Sequence, residues 1–135
     1  MIVLPPHIAS EIIAHAREDA PVEACGLLAG ADGVVQRCYR LTNRDRSPEH
    51  FTLVPQEQFA AAKDMRANGL QAVAVYHSHP ASPARMSDED LRLAVAPGIR
   101  YVIVSLMSEE PDIRSFILQD GVPVEEPALV QESPE

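Results

Sequence analysis

A chain of 135 residues with 46% apolar and 23% charged side chains has ordinary globular usage and a length that suits one domain with one core. Its formal charge of −9, from 11 basic and 20 acidic side chains, excludes a nucleic-acid binder that works by neutralising phosphates. Two cysteines outside any CxxC spacing, an N-terminal MIVLPP with no basic residue, and apolar runs far shorter than a membrane span point to a soluble cytoplasmic protein with reduced thiols and no membrane partner.

From Pro6, apolar residues recur at helical spacing (Ile8, Ile12, Ile13, Ala16), and proline at a first helical position is a start signal, so a helix is expected over 7–19, ended by Pro21. Glu23–Gly30 reads as a short buried strand, Asp32-Gly33 as a turn and Val34–Leu41 as the antiparallel partner. A polar loop over Thr42–His50 leads to a brief extended Phe51–Val54, and Pro55 opens a second helix that stops at Asn68-Gly69, where glycine can take the left-handed cap. Ala72–Tyr76 is a third strand with His77-Ser78-His79 directly at its end. After a proline-rich turn, Ser87–Asp90 begins a short helix reaching Pro97-Gly98, and Tyr101–Leu106 and Ile113–Leu118 are two further strands. Interleaved helices and strands give an α/β or α+β class, a mixed sheet flanked by helices. The acids concentrate late in the chain, where residues 108–135 hold eight of them against Arg114 alone, and Glu125–Glu135 has the Pro/Glu/Ser character of a loose, solubilising tail.

His77, His79, Ser87 and Asp90 form the pattern H-x-H-x7-S-x2-D. Side chains two apart on a strand point to one side, so both imidazoles can face one metal, and Asp90 can complete the set after the turn. Two histidines and a carboxylate with a fourth position open is the usual composition of a catalytic zinc site, whereas structural zinc prefers four closed ligands rich in cysteine. Ser87 and Asp90 also have the spacing of a helix capping box, and both roles can hold together. His7, His15 and His50 read as ordinary packed or solvent-facing rings, and a glutamate at a strand start, taken alone, reads as a solvated charge.

With an upstream glutamate at Glu23, the pattern resembles the JAMM, or MPN-plus, zinc metallopeptidases. Glu23-Ala-Cys-Gly-Leu-Leu-Ala-Gly30 resembles the family's glutamate strand, and Asn43 followed by Phe51-Thr-Leu resembles its small bacterial branch. The resemblance covers roughly residues 1–118. It implies a single MPN-like domain over 1–122 with cytidine-deaminase-like layering, followed by an acidic tail over 123–135. It implies that His77, His79 and Asp90 hold Zn2+, that Glu23 moves the proton between water and the leaving amine, and that Ser87 donates to the oxyanion. The implied reaction is hydrolysis of an amide or isopeptide bond, and the implied substrate is a ubiquitin-like sulfur-carrier protein, cut after its C-terminal Gly-Gly or relieved of an attached cysteine. Members of the family often form homodimers. Two alternatives use the same residues differently: a cysteine hydrolase with Cys25 as nucleophile beside His77 or His79, and a non-catalytic MPN-like scaffold for protein interaction.

Overall fold

The computed structural model describes residues 2–93 and 98–130. In chain order these form β1 (Ile2–Leu4), α1 (Pro6–Asp19), β2 (Cys25–Ala31), β3 (Val34–Leu41), α2 (Pro55–Ala67), β4 (Gln71–His79), α3 (Asp88–Leu93), β5 (Arg100–Ser105), β6 (Asp112–Gln119), β7 (Val122–Glu126) and β8 (Ala128–Val130). The eight strands make one sheet in the order β7-β6-β5-β4-β2-β3-β1-β8. The sheet is mixed: β4 runs parallel to β5, and β1 runs parallel to both β3 and β8, while the remaining pairs are antiparallel.

The period-2 alternation of the central strands sorts side chains onto two faces. Leu28, Val35, Ala74, Tyr76, Val102 and Val104 face α1, whose Ile8, Ile12 and Ala16 close that core together with Ile2 and Leu4. Burying each such isoleucine or leucine contributes about 1.5–3 kcal/mol, far more than the tenths of a kcal/mol by which helix propensities differ, so packing decides which way α1 turns. On the other face, Ala29 packs with Ala61 and Met65 of α2. Tyr101, Ile103 and Phe116 pack there with Ala84 and Met86 of the loop before α3. His77 and His79 share parity with Val75, so they emerge on this second face, at the C-terminal end of β4 between α2 and α3.

Two expectations need correction, and two segments take forms that the sequence left open. The β2 ladder begins at Cys25, so Glu23 lies just before the strand, which the sequence reads as spanning Glu23–Gly30. Phe51–Val54 runs as expected into the N-cap of α2, where Val54 is extended, and among the described residues it joins no ladder. The chain before Pro5 forms β1, which the three residues available to it could not announce by periodicity. The stretch from 123 onward is not loose throughout, because β7 pairs with β6 and β8 pairs with β1, with Glu126 bonded to Arg100 and Glu125 to Arg114. The helix expected to reach Pro97 is seen as α3 up to Leu93; Ala94–Pro97 lie outside the described residues.

Candidate active site

The two histidines reach one point because β4 stays extended through His79 and is held on both sides, by β5 along its whole C-terminal half and by β2 up to Cys25–His77. Past His79 the chain turns back through Pro80–Met86, and α3 begins with a reciprocal cap. The Asp90 N–H donates to Ser87 Oγ at 3.0 Å, and the Ser87 N–H donates to Asp90 Oδ2 at 3.0 Å. The capping-box reading of this pair holds, and the cap fixes the Asp90 carboxylate and aims it at the histidines. His77 Nε2 lies 3.1 Å from Asp90 Oδ1, His79 Nε2 lies 3.0 Å from Asp90 Oδ2, and the two Nε2 atoms are 3.1 Å apart. All three residues are buried.

This triangle fits a small divalent cation. The edge of a tetrahedron with metal–ligand bonds of 2.0–2.1 Å is about 3.3 Å, close to the observed separations. The tautomer agrees. His79 Nδ1 is 2.7 Å from the Pro83 carbonyl, which can only accept, so Nδ1 carries a proton in either charge state, and Nε2 is the nitrogen that a metal would take in place of the proton shared with Asp90. Convergent acceptors in a buried place call for positive charge between them. Burial would push the Asp90 carboxyl up, but hydrogen bonds from His77 and His79 outweigh it and hold the group well below the usual carboxylate range. Burial lowers the pKa of His77. It also pulls on His79, where the Asp90 hydrogen bond and the Pro83 carbonyl prevail and leave it raised.

Glu23 approaches from a different element. It is 2% exposed, which overturns the solvated-charge reading. Its backbone is pinned three ways: its N–H donates to the Ser47 carbonyl at 2.9 Å, its carbonyl accepts from Asn43 Nδ2 at 3.1 Å, and the next residue is clamped to β4. In that clamp the Ala24 N–H donates to Ser78 Oγ at 2.8 Å, and the Ser78 N–H donates to the Ala24 carbonyl at 3.0 Å. Glu23 Oε1 is buried without a hydrogen-bond partner. Burial pushes its carboxyl pKa up to about 8, with the neighbouring His79 opposing and Asp90 and Glu49 adding to the rise. Glu23, His79 and Ser87 line one cavity of about 500 Å3, together with Glu49, His50 and Glu89. A larger cavity of about 530 Å3 beside His15, Arg40 and Arg46 shares no residue with the triangle or Glu23 and lies outside this chemistry.

All five residues singled out by the pattern thus meet in one place. Three residues that build the place carry no chemistry of their own: Ser78 as the clamp, Asn43 as the loop organiser, and Phe51, whose ring stacks on His77 at 4.8 Å between centroids. The resemblance marks Asn43 and Phe51 without giving their task, while Ser78 stands out only as a polar residue in an apolar strand. Cys25 is fully buried, its thiol contacts the Leu41 carbonyl, and burial pushes its pKa up to about 12, which disfavours the cysteine-nucleophile alternative.

The sequence profile described as prokaryotic homologs of the JAB domain matches residues 5–119. The chain belongs to the prokaryotic JAB family. A CysO-cysteine peptidase of Mycobacterium tuberculosis is 37% identical over 135 residues, covering 98% of this chain and 92% of the relative. A probable TtuB-protein conjugate cleaving protease of Thermus thermophilus is 33% identical, covering 96% and 82%. The solution structure of a Desulfitobacterium hafniense protein superposes with a TM-score of 0.91 at 46% identity, over 100% of this chain and 96% of that one. A JAB1/MPN domain protein of Archaeoglobus fulgidus shares the fold, with a TM-score of 0.67 at 21% identity over 96% and 97% of the two chains. This JAB-family chain is accordingly a hydrolase of the peptidase class on a single MPN-type domain, and its His77-His79-Asp90 group can hold a metal. Among the described residues, no helix is long and apolar enough to cross a membrane.

Proposed function

We propose that this chain is a zinc-dependent, cytoplasmic peptidase that hydrolyses an amide or isopeptide bond at the C-terminus of a ubiquitin-like sulfur-carrier protein, after its Gly-Gly. The observation that carries this reading is the unpartnered Glu23 Oε1 opening on the same cavity as Ser87 and the buried triangle of His77, His79 and Asp90. The curated relatives' names supply the substrate class: one acts on CysO-cysteine and another on TtuB conjugates.

A zinc ion held by His77, His79 and Asp90 supplies a Lewis acid that acidifies water and polarises a carbonyl. Glu23 Oε1 accepts the proton of the attacking water and returns it to the leaving nitrogen. In the metal-free chain its carboxyl is held at about 8, and positive charge nearby brings it down toward the range a base needs at neutral pH. Ser87 Oγ already accepts the Asp90 N–H, which leaves its own proton free to donate into the cavity, toward an oxyanion. Asp90 stays ionised throughout, and His79 is kept in its working tautomer by the Pro83 carbonyl. Pro48, Ala81 and Ser82 line the same cavity and leave room for an extended Gly-Gly segment to reach the reacting centre. All five residues come from one chain, so a homodimer is not needed to complete the chemistry.

The test is metal content and cleavage together. Protein purified without chelators is expected to carry about one zinc per chain, and to shorten a sulfur carrier bearing residues beyond Gly-Gly by the corresponding mass. Glu23→Gln is expected to keep the zinc and lose at least about 100-fold in rate. Removing zinc with a chelator abolishes cleavage and restoring it recovers cleavage. Protein that takes up no metal when zinc is offered, or cleavage indifferent to chelation, overturns the reading.

A further inference from the structure

We propose that Arg85 is the specificity residue that binds a free carboxylate on the leaving side of the scissile bond, so that the chain releases a single C-terminal amino acid from its carrier; this rests on the function proposed above.

The loop between His79 and Ser87 separates two lobes of the site. One, of about 500 Å3, is lined by Glu23, Glu49, His50 and Glu89; the other, of about 450 Å3, by Pro83, Arg85 and Met86. His79, Ser82, Ser87 and Asp88 line both lobes, which places each lobe beside the reacting centre. The first lobe is the poorer place for an anion, because Glu23, Glu49 and Glu89 line it in addition to Asp88, which the two lobes share. Arg85 is the sole lysine or arginine on the described walls of either lobe.

Arg85 is also held ready. Its flanking residues Ala84 and Met86 are buried against Tyr101, Ile103 and Phe116, and its own N–H bonds the Pro83 carbonyl at 2.9 Å. The backbone is therefore fixed on both sides while the side chain stands exposed. Arg37, Arg40, Arg92, Arg100 and Arg114 each pair with an acid, whereas among the described residues no carboxylate lies within ion-pair distance of the guanidinium of Arg85, and of the cations left in that state Arg85 is the one that lines a lobe of this site. A planar guanidinium with its fork unfilled, at the edge of a reaction centre, matches a carboxylate bidentately.

The position discriminates two chemistries. When a single amino acid follows Gly-Gly in a main-chain bond, its carboxylate is separated from the scissile nitrogen only by the α-carbon, within reach of the second lobe. A lysine joined through its side-chain amine to another protein presents no carboxylate there. Hydrolysis adds water across the bond, leaving a carboxylate on the carrier and a free amino acid whose amine has taken the proton, and Arg85 holds that amino acid by its other end.

The test uses zinc-loaded protein and two substrates that differ in one group: a carrier ending in Gly-Gly-Cys with a free carboxylate, and the same carrier with a C-terminal carboxamide. Wild type is expected to favour the acid. Arg85→Ala should lower kcat/KM on the acid by about 10- to 100-fold, chiefly through KM, and leave the amide within about twofold of wild type, since a hydrogen bond to a charged group contributes that much. Arg85→Lys, which keeps charge but loses the fork, should fall between. Titrating both substrates into Glu23→Gln protein with and without Arg85→Ala reads the same difference as binding, apart from turnover. Equal losses on acid and amide, no loss on either, or a wild type indifferent to the carboxamide overturns the role of Arg85 while leaving the peptidase reading intact. A wild type that cleaves neither substrate overturns the function proposed above, and this inference with it.

Discussion

A carboxylate buried without a hydrogen-bond partner has consequences for stability as well as for chemistry, and Glu23 is such a group. Its pKa rises from an ordinary 4.5 to about 8 on folding, so between those values the metal-free folded chain binds a proton that the unfolded chain has released. The stability contributed by the protonated form is complete below about 4.5 and is lost as pH rises through about 8. Asp90 and His77, both lowered, act in the opposite sense, which is why the quantity to measure is a difference between two proteins. In chelator, Glu23→Gln should gain stability relative to wild type as urea unfolding is repeated from pH 5 to pH 8. A difference that stays flat across this range would show that Glu23 ionises freely in the folded chain. The same residue marks the limit of the sequence. H-x-H and Ser87–Asp90 are local spacings and can be read off the chain, whereas the burial of Glu23 is created by Ser78, 54 positions from Ala24, and by Asn43 and Ser47 in a loop that shows only as polar.

At the scale of elements, β2 carries the geometry, since it lies between the β3 hairpin and the β4 ligand strand and delivers Glu23 at its entrance. Gly26 is what lets it fit. A Cβ there would lie 2.2 Å from Tyr76 Cε2 and 2.4 Å from the Tyr39 carbonyl oxygen, and the second of these atoms is backbone and cannot swing aside. Gly26→Ala should therefore destabilise the protein by about 2–3 kcal/mol, read as a lower urea midpoint with an unchanged slope. It should reduce activity in the surviving folded fraction as well, because the shift falls between the base and the ligands. The elements also show why some strands were legible and others not. Asp32-Gly33 and Asp120-Gly121 are the same dipeptide with the same pair of positive φ angles, 53° and 78° against 52° and 78°. The first reads as a hairpin turn because alternating apolar residues flank it; the second is followed by Val-Pro-Val-Glu-Glu, whose proline and charges read as tail. The signal for β7 was in the turn, and its charges are accommodated by Arg100 and Arg114, which only the paired sheet brings near.

Across the whole molecule, the sheet is finished by the segment that composition marks as dispensable. β8 covers β1 in parallel register from Ile2–Ala128 onward, and β7 covers β6, so the late acidic stretch caps both ends of the strand order. A chain stopped after Gly121 should lose about 2 kcal/mol or more of stability, the worth of one or two apolar side chains left uncovered, and should associate through the bared edge of β6. Equilibrium unfolding and light scattering of the shortened chain against the full one check this; equal midpoints would mean that the two strands are ornamental. No local pattern could have shown this closure, because β1 and β8 are three residues each and exist only as partners of strands distant in sequence.

The three side chains that could hold a metal all lie between His77 and Asp90, a single short run of chain, while Glu23 comes from beyond a sheet contact. Closing so short a loop costs little entropy compared with assembling the sheet. The candidate ligand set and Glu23 are therefore assembled by different contacts, the first by β4 and the turn into α3, the second by the junction of Ala24 with Ser78. A loosened Ala24–Ser78 contact is thus expected to cost turnover before it costs metal, and the gap between elemental analysis and turnover measures that loosening.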